Sequence, residues 1–268
     1  MTIKGDFTSI GTSQPGTQGS FIEVDFDGAM ASTVGGAKGT GVASGVTIYD
    51  SSSDTDVDGV RVFRSYPTFT PIPLTSTKLA NGVQGALRWS ITANNGDVGV
   101  RKFTLRLATT SVIASTLNVF AFTDSGFSTP VSGVTSGGQL QNSNEDLTTA
   151  WASNTSDLEI DVDTSGNADT ALQIPAGVTR YFEARLNITG ADASGDSTQL
   201  QLQGDATSYS ASATQMGTAA TVELFGDDDF IWSPNATTTS DLTHVDWTNG
   251  YGLIGLPSTN MTAQSLSY

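Results

Sequence analysis

The chain has 268 residues and contains no cysteine, which excludes a disulfide framework, thiol catalysis and thiolate metal sites. Its formal net charge of −16 argues against binding to nucleic acid phosphates, and no apolar run of about 18 residues is present to span a membrane. The charge is uneven, because residues 1–143 hold 10 acids and 9 bases whereas residues 144–268 hold 17 acids and 2 bases.

The first predicted element is an extended arm over residues 1–20. Its apolar residues are sparse (Ile3, Phe7 and Ile10), and a segment rich in Gly, Ser and Pro follows them. No apolar stretch follows Lys4, so the arm does not resemble a signal peptide. An arm of this composition buries little apolar surface against itself, which leaves two alternatives: it packs on its own domain, or it packs on another copy of the chain.

Residues 21–233 show the alternation of apolar and polar residues that is typical of half-buried β-strands, and no helical period competes with it. The apolar sets, in chain order, are Ile22/Val24/Phe26, Val83/Leu87/Trp89/Ile91, Val98/Val100, Phe103/Leu105/Leu107, Leu158/Ile160/Val162, Phe182/Ala184/Leu186/Ile188, Leu200/Leu202 and Val222/Leu224. The change of phase between Val100 and Phe103 predicts a β-bulge near Arg101–Lys102. Turn signals rich in Gly, Asn and Ser separate the sets and give about nine to eleven strands.

These elements predict an all-β fold: a jelly-roll-like antiparallel β-sandwich with an extended N-terminal arm and an irregular C-terminal tail. The predicted domains are the arm (1–20, a candidate donor strand), the sandwich (21–233, with an alternative division near residue 80) and the tail (234–268). The tail has few alternating positions but several aromatic or apolar anchors, among them Trp247 and Tyr251.

Several segments resemble a known family. They are SYPTF at 65–69, KFTL at 102–105, AFTDSG at 121–126, PAGVTRYFE at 175–183, FIWSP at 230–234, DWTNGYG at 246–252 and GLP at 255–257. In this order they resemble secreted β-sandwich and jelly-roll surface proteins of uncultured small-genome bacteria, some of which form extracellular fibrils. The resemblance covers about residues 59–268. It implies a bacterial protein that lies outside the cell or on its surface and that assembles with itself.

The sequence predicts no enzyme. Its one histidine, His244, lies in a polar segment that we expect at the surface, and no Gly-x-Ser-x-Gly motif accompanies it. Carboxylate pairs such as Asp157/Glu159 occur on one strand face, but chance produces such pairs among 27 acids. No phosphate-binding loop or dinucleotide motif is present.

Calcium is the candidate cofactor. The run Asp54, Asp56, Asp58, followed by Gly59, matches the first half of a calcium-binding loop, in which oxygen ligands alternate before a glycine turn. The match then fails, because Ser65 stands at the twelfth position in place of a bidentate glutamate. A second partial match over residues 161–166 fails in the same way, and an ordinary solvated acidic turn is the alternative.

Glycosylation is a second candidate modification of the surface. Four asparagines begin an Asn-x-Ser/Thr motif: Asn154, Asn187, Asn235 and Asn260. The abundance of Ser and Thr produces about three such motifs by chance. The motifs therefore identify candidate positions without favouring a glycoprotein.

The leading functional hypothesis is a structural subunit of an extracellular fibre or surface coat, which forms a homopolymer head to tail by strand donation. Chain composition favours it by association, since 31 Ser and 39 Thr with only 14% charged residues are typical of coats, fibres and adhesins. The arm would add to a neighbour's sheet through Ile3, Phe7 and Ile10. The alternative is a carbohydrate-binding or adhesive module, in which Trp151, Trp232, Trp247 or Tyr251 stacks on sugar rings if it is exposed. For Trp89 and Trp232 we expect burial in the core.

Overall fold

The structure of the protein, a computed structural model, describes residues 4–11, 13–24, 38–49, 59–141, 150–152, 155–162, 171–209, 216–223, 228–236, 243–256 and 260–268. The chain divides into two compact units, one of Met1–Gln18 with Phe63–Tyr268 and one of Gly19–Val62. The divisions between the units thus fall after residues 18 and 62. The sequence analysis placed its divisions after residues 20 and 233, with an alternative near residue 80. We call the two units the large and the small unit.

The described residues of the small unit form four short strands: β1 (Ser20–Ile22), β2 (Lys38–Thr40), β3 (Thr47–Tyr49) and β4 (Val60–Val62). They form two separate two-stranded antiparallel sheets, β1 with β4 and β2 with β3. None of its described apolar side chains is buried, and Val24, predicted to share a buried face with Ile22, is exposed.

The large unit contains the remaining strands: β5 (Tyr66–Pro71), β6 (Gly82–Asn94), β7 (Val98–Thr110), β8 (Ile113–Phe122), β9 (Trp151–Ala152), β10 (Thr155–Asp161), β11 (Leu172–Ile174), β12 (Thr179–Thr189), β13 (Ser197–Leu202), β14 (Phe230–Ser233), β15 (Thr248–Asn249) and β16 (Gln264–Ser267). A helix α1 (Ala219–Glu223) and a 3₁₀ turn (Ser136–Gly138) complete its described elements. Within the described ranges, neither has the length and apolarity needed to cross a bilayer.

Two antiparallel sheets pack face to face in this unit, and the predicted all-β sandwich is confirmed. One sheet has the order β5-β6-β12-β8-β9. The other is built around the long strand β7, which pairs with β10 and β11 on one side and with β13 and β14 on the other. Beyond them, β15 pairs with β14 and β16 with β13, so the C-terminal residues 234–268 also supply strands to the sandwich.

The core lies between the sheets and is centred on aromatic side chains. Trp89 stacks on Phe182 at 5.4 Å between ring centroids, and Phe103 contacts both rings and Phe230. The period-two sets predicted for residues 158–162 and 182–188 are buried as expected, because alternate side chains of a strand face the same side of its sheet.

β-Bulges in β7 and β6 alter the side-chain phase of these two strands. The bulge predicted in β7 is confirmed, since Ile231 pairs with Lys102 and Trp232 with Val100, which leaves Arg101 as the extra residue. A second bulge in β6 leaves Ala86 as the extra residue opposite Ala184 and Arg185. It moves Val83 to the solvent side with 72% of its surface exposed, so the prediction that Val83 shares the face of Leu87 is wrong.

The region around Val222 also differs from the prediction. Val222 was expected in a strand with Leu224, but it lies in the helix α1, and Leu224 is outside the described residues. The Thr218 hydroxyl accepts a hydrogen bond from the Thr221 N–H at 3.1 Å, as a helix-capping residue does. Val222 is fully buried in a small second cluster with Ile231 and Trp247.

The buried carboxylate of Asp205 links the start of β14 to the end of β15 by hydrogen bonds. Asp205 accepts hydrogen bonds from the backbone N–H groups of Asp229 (2.6 Å), Phe230 (3.3 Å) and Gly250 (2.6 Å). Burial raises the pKa of Asp205 to about 6, although the backbone donors oppose the rise. Burial and then the nearby charge of Asp205 raise the pKa of Asp229 to about 6 as well.

These raised pKa values predict that the large unit becomes less stable as the pH rises. A carboxyl with a raised folded-state pKa contributes its full stability below its unfolded value, near 4, and loses it as the pH rises through about 6. We expect the chain to be about 1–2 kcal/mol more stable at pH 5 than at pH 8, measured by chemical denaturation. Asp229→Asn should reduce this difference, and an unchanged difference in that variant would contradict the assignment.

Candidate assembly edge

The five-stranded sheet protects its β8 edge with the chain that follows. Val131 donates its N–H to the Ala121 carbonyl (2.9 Å), and Leu140 donates to the Val119 carbonyl (2.8 Å). The side-chain amide of Gln141 also pairs with main-chain groups of this edge: its oxygen accepts from the Val119 N–H (3.1 Å) and its nitrogen donates to the Leu117 carbonyl (2.9 Å). This edge is therefore closed to another strand.

The β5 edge is closed by prolines. Phe69 donates its N–H away from β6, to the Ile254 carbonyl at 2.8 Å. Pro67 and Pro71 occupy the two neighbouring positions that face the same way, and neither has an N–H to donate. Prolines at such positions are typical of edge strands that do not accept a further strand.

In the seven-stranded sheet, β10 (Thr155–Asp161) is an edge strand among the residues that the structure describes. It pairs with β7, and no main-chain group of the described residues pairs with its other side. Val162 donates its N–H to the Arg101 carbonyl (2.8 Å). This bond shows which residues of the strand direct their main-chain N–H and C=O groups toward β7, because the direction alternates from one residue to the next. The main-chain groups of Asp157, Glu159 and Asp161 therefore point away from β7, where a further strand would pair.

The acidic side chains of β10 form ion pairs with bases of β7. Lys102 lies 2.7 Å from Glu159, Arg101 lies 3.0 Å from Asp161, and a half-exposed pair joins Arg106 and Asp157 at 3.7 Å. With the pair Arg88–Glu183, at least four of the seven bases between residues 61 and 106 are paired with acids of the described residues. These bases are therefore already neutralised within the chain, and they contribute less to an attraction between the basic part of one copy and the acidic part of another.

The sequence analysis predicted that the N-terminal arm donates a strand, and the described residues at the start of the arm are exposed. Residues 4–9 are all exposed, and Phe7 has 61% of its surface accessible to solvent. Ile10 is partly buried and forms a bridge with Gly16, while Ile3 lies outside the described residues. Gln18 accepts a hydrogen bond from the Arg64 N–H at 2.8 Å, so the base of the arm is attached to the large unit.

The predicted calcium ligands Asp54, Asp56 and Asp58 lie outside the described residues. In the second partial match, Asp161 pairs with Arg101 in the sheet. Across the part of the chain that the structure describes, no group of three or more His, Asp or Glu side chains is arranged to hold a metal ion.

The glycosylation motifs lie in constrained positions where they are described. Asn187 is in the central strand β12, and its side-chain amide donates to the Ser115 hydroxyl at 3.4 Å. The Asn235 side chain donates to Gln173 at 2.5 Å, and Asn260 is partly buried beside Gln203. Asn154 lies outside the described residues.

The residues proposed to stack on sugars are mostly inside the protein. Trp151, Trp232 and Trp247 are buried, as is Trp89, whereas Tyr251 remains 49% exposed. Burial of Trp89 and Trp232 agrees with the sequence analysis, and Trp151 and Trp247 are also not exposed for stacking, because they complete the core and the small second cluster. His244, expected at the surface, is partly buried.

Sequence reasoning missed the open edge of β10. The alternation of residues 157–162 identified a strand, but alternation is the same for central and edge strands. Only Pro67 and Pro71 carried a signal, since they mark β5 as an edge strand.

Comparisons with known proteins identify no family for this chain. No protein-family model matches it, and no curated protein matches it. Among solved structures, it is similar over 97% of its length to 83% of a chain described as "Complete structure of manganese lipoxygenase of Gaeumannomyces graminis and partial structure of zonadhesin of Komagataella pastoris". The identity is 9% and the TM-score 0.17, which is too low to support an argument about fold or function.

Proposed function

We propose that the chain is a structural subunit of an extracellular fibre or surface coat. Copies join head to tail when residues 1–10 of one copy add as a strand to the β10 edge of the next. Two observations on the same chain carry this proposal: no main-chain group of the described residues pairs with the outer side of β10 along its seven residues, and residues 4–9 of the arm are exposed. A donor and an acceptor at different places on one molecule give a contact that repeats without limit unless it closes a ring.

The lengths of arm and edge are compatible. A strand rises about 3.3 Å per residue, so residues 1–10 reach about 33 Å and the seven residues of β10 about 23 Å. Main-chain hydrogen bonds along this length would supply affinity without sequence specificity, and alternate side chains would supply the register.

The alternation of the arm also suits β10. In an extended arm, Ile3 and Phe7 share one face while Lys4 and Thr8 share the other. One face of β10 places Leu158 and Ile160 in the core, so Ile3 and Phe7 would extend that core. Lys4 would then lie on the face that carries the acidic residues of β10.

Replacement of Phe7 tests the proposal. Burial of a phenylalanine side chain contributes about 1.5–3 kcal/mol, so Phe7→Glu should weaken each contact at least tenfold. Because Phe7 is 61% exposed in the single chain, its replacement should leave the fold intact. We expect filaments of the natural chain in negative-stain micrographs and monomers of Phe7→Glu at the same concentration.

Val245→Glu is the matched control, since Val245 is 68% exposed and lies outside the arm. This variant should polymerise like the natural chain. A natural chain that stays monomeric at high concentration, or filaments that Phe7→Glu leaves unchanged, would refute strand donation by the arm.

A further inference from the structure

A cavity of about 210 Å³ lies beside β6, β12 and β16 of the large unit. Its charged lining residues are Lys78, Arg88 and Glu183, and its apolar ones include Val83 and Leu266. The volume corresponds to about seven water molecules, which suits a small organic ligand rather than a large one.

The carboxylate of Glu183 is fully engaged by two arginines. Arg88 places Nε 2.7 Å and a terminal nitrogen 2.6 Å from one oxygen, and Arg185 places both corresponding nitrogens 2.5 Å from the other. Only 4% of the Glu183 side chain is exposed. Two positive charges thus surround one negative charge, and the group as a whole is positive.

Lys78 adds a further positive charge at the wall of the cavity. Its side chain is exposed, and no carboxylate of the described residues lies within 4.0 Å of its ammonium group. The cavity is therefore electropositive on a chain whose formal net charge is −16.

The sheet is distorted on both sides of this site. In β6, Ala86 is the extra residue of a bulge, and a Cβ on the adjacent Gly85 would lie 2.7 Å from the Glu183 carboxylate. In β8, the pairing of Arg185 and Asn187 leaves two residues opposite one, and Thr116 there has a φ of 53°. Bulges often redirect side chains at binding sites. A buried charged triad such as Arg88–Glu183–Arg185 also stabilises a fold less than apolar packing would, so stability alone does not explain why the triad is there.

We propose that this cavity binds a small carboxylate, held between the Lys78 ammonium and the Arg88 guanidinium, with its remaining atoms against Val83 and Leu266. Charge-assisted hydrogen bonds from Lys and Arg to a carboxylate are the strongest polar contacts available in such a site. The site is independent of the arm and of β10, so it can exist whether or not the chain polymerises.

Nuclear magnetic resonance titration of the full chain tests the proposal, with the backbone amides of Val83 and Gly85 as reporters. Acetate and glucuronate should both shift these signals in a saturable way, whereas glucose should not, because it lacks the charge. A higher affinity for glucuronate than for acetate would identify a sugar acid as the source of the carboxylate. Lys78→Glu should weaken binding about tenfold or more, since it removes one charge-assisted contact.

Lys38→Glu is the control, because Lys38 is an exposed lysine of the small unit with the same change of charge. Val83→Phe provides a second variant at an exposed position and should also weaken binding by narrowing the cavity. The proposal is wrong if no signal shifts, if glucose or inorganic phosphate acts as strongly as the carboxylates, or if Lys78→Glu binds like the natural chain.

Discussion

Asp157→Pro is expected to abolish polymerisation while the chain stays folded. The N–H of Asp157 points away from β7, so proline removes a donor from the open edge of β10 and none from the existing ladder. A proline ring at this position also obstructs the approach of another strand. The ion pair with Arg106 is lost, but this half-exposed pair at 3.7 Å contributes at most about 1 kcal/mol.

Asp157→Ala separates the effect of the main chain from the effect of the charge. Both variants lose the carboxylate, and only the proline variant loses the N–H. We expect filaments of the alanine variant and monomers of the proline variant in sedimentation velocity experiments, with similar circular dichroism spectra. Equal polymerisation of the two variants would show that β10 is not the acceptor.

Glu183→Gln is expected to lower the free energy of unfolding by about 3–5 kcal/mol. The substitution leaves the guanidinium groups of Arg88 and Arg185 facing each other without the carboxylate that holds both. Arg88 is only 17% exposed, so water cannot replace the lost partner well. Chemical denaturation at constant pH measures the loss directly.

The comparison for this variant is again Asp157→Ala, which breaks an exposed ion pair and should lose less than about 1 kcal/mol. A similar small loss in Glu183→Gln would mean that the arginines find other partners. Both guanidinium groups also lie over aromatic rings, Arg88 at 4.3 Å from the centre of Phe127 and Arg185 at 4.4 Å from that of Phe120, and these contacts would remain in the variant.

Much of the sandwich was predictable because period-two alternation is a local property. The bulge at Arg101 was visible as a change of phase between two apolar sets, Val98/Val100 and Phe103/Leu105. The bulge at Ala86 was not, because glycine and alanine at residues 85–86 give no apolar signal and the alternation of Val83 with Leu87 looked unbroken. The helix at Val222 was missed because its start depends on one threonine hydroxyl.

The candidate site was predictable only on the donor side. Sparse apolar residues in a polar segment indicate an arm, and residues 4–9 are exposed in the structure. The acceptor depends on strand order, which is set by pairing between residues far apart, such as Leu158 with Leu105. The same pairing places Glu159 beside Lys102, so an uneven charge along the sequence becomes a set of internal ion pairs.

Disulfide cross-linking between copies tests strand donation most directly. The chain has no cysteine of its own, so any disulfide that forms must join cysteines introduced by substitution. Asp6 and Thr8 of an extended arm share a face with Lys4, and in the proposed pairing they approach Glu159 of another copy. A disulfide forms only where the two Cα atoms lie about 4.4–6.8 Å apart. Chains with Asp6→Cys or Thr8→Cys are mixed with chains that carry Glu159→Cys, and are oxidised.

We predict covalent dimers that form in the mixture but in neither variant alone, and a ladder of covalent polymers from a chain that carries both substitutions. Internally bridged monomers from the doubly substituted chain, with no dimer in the mixture, would show that the arm pairs with its own sheet and would contradict the proposed assembly.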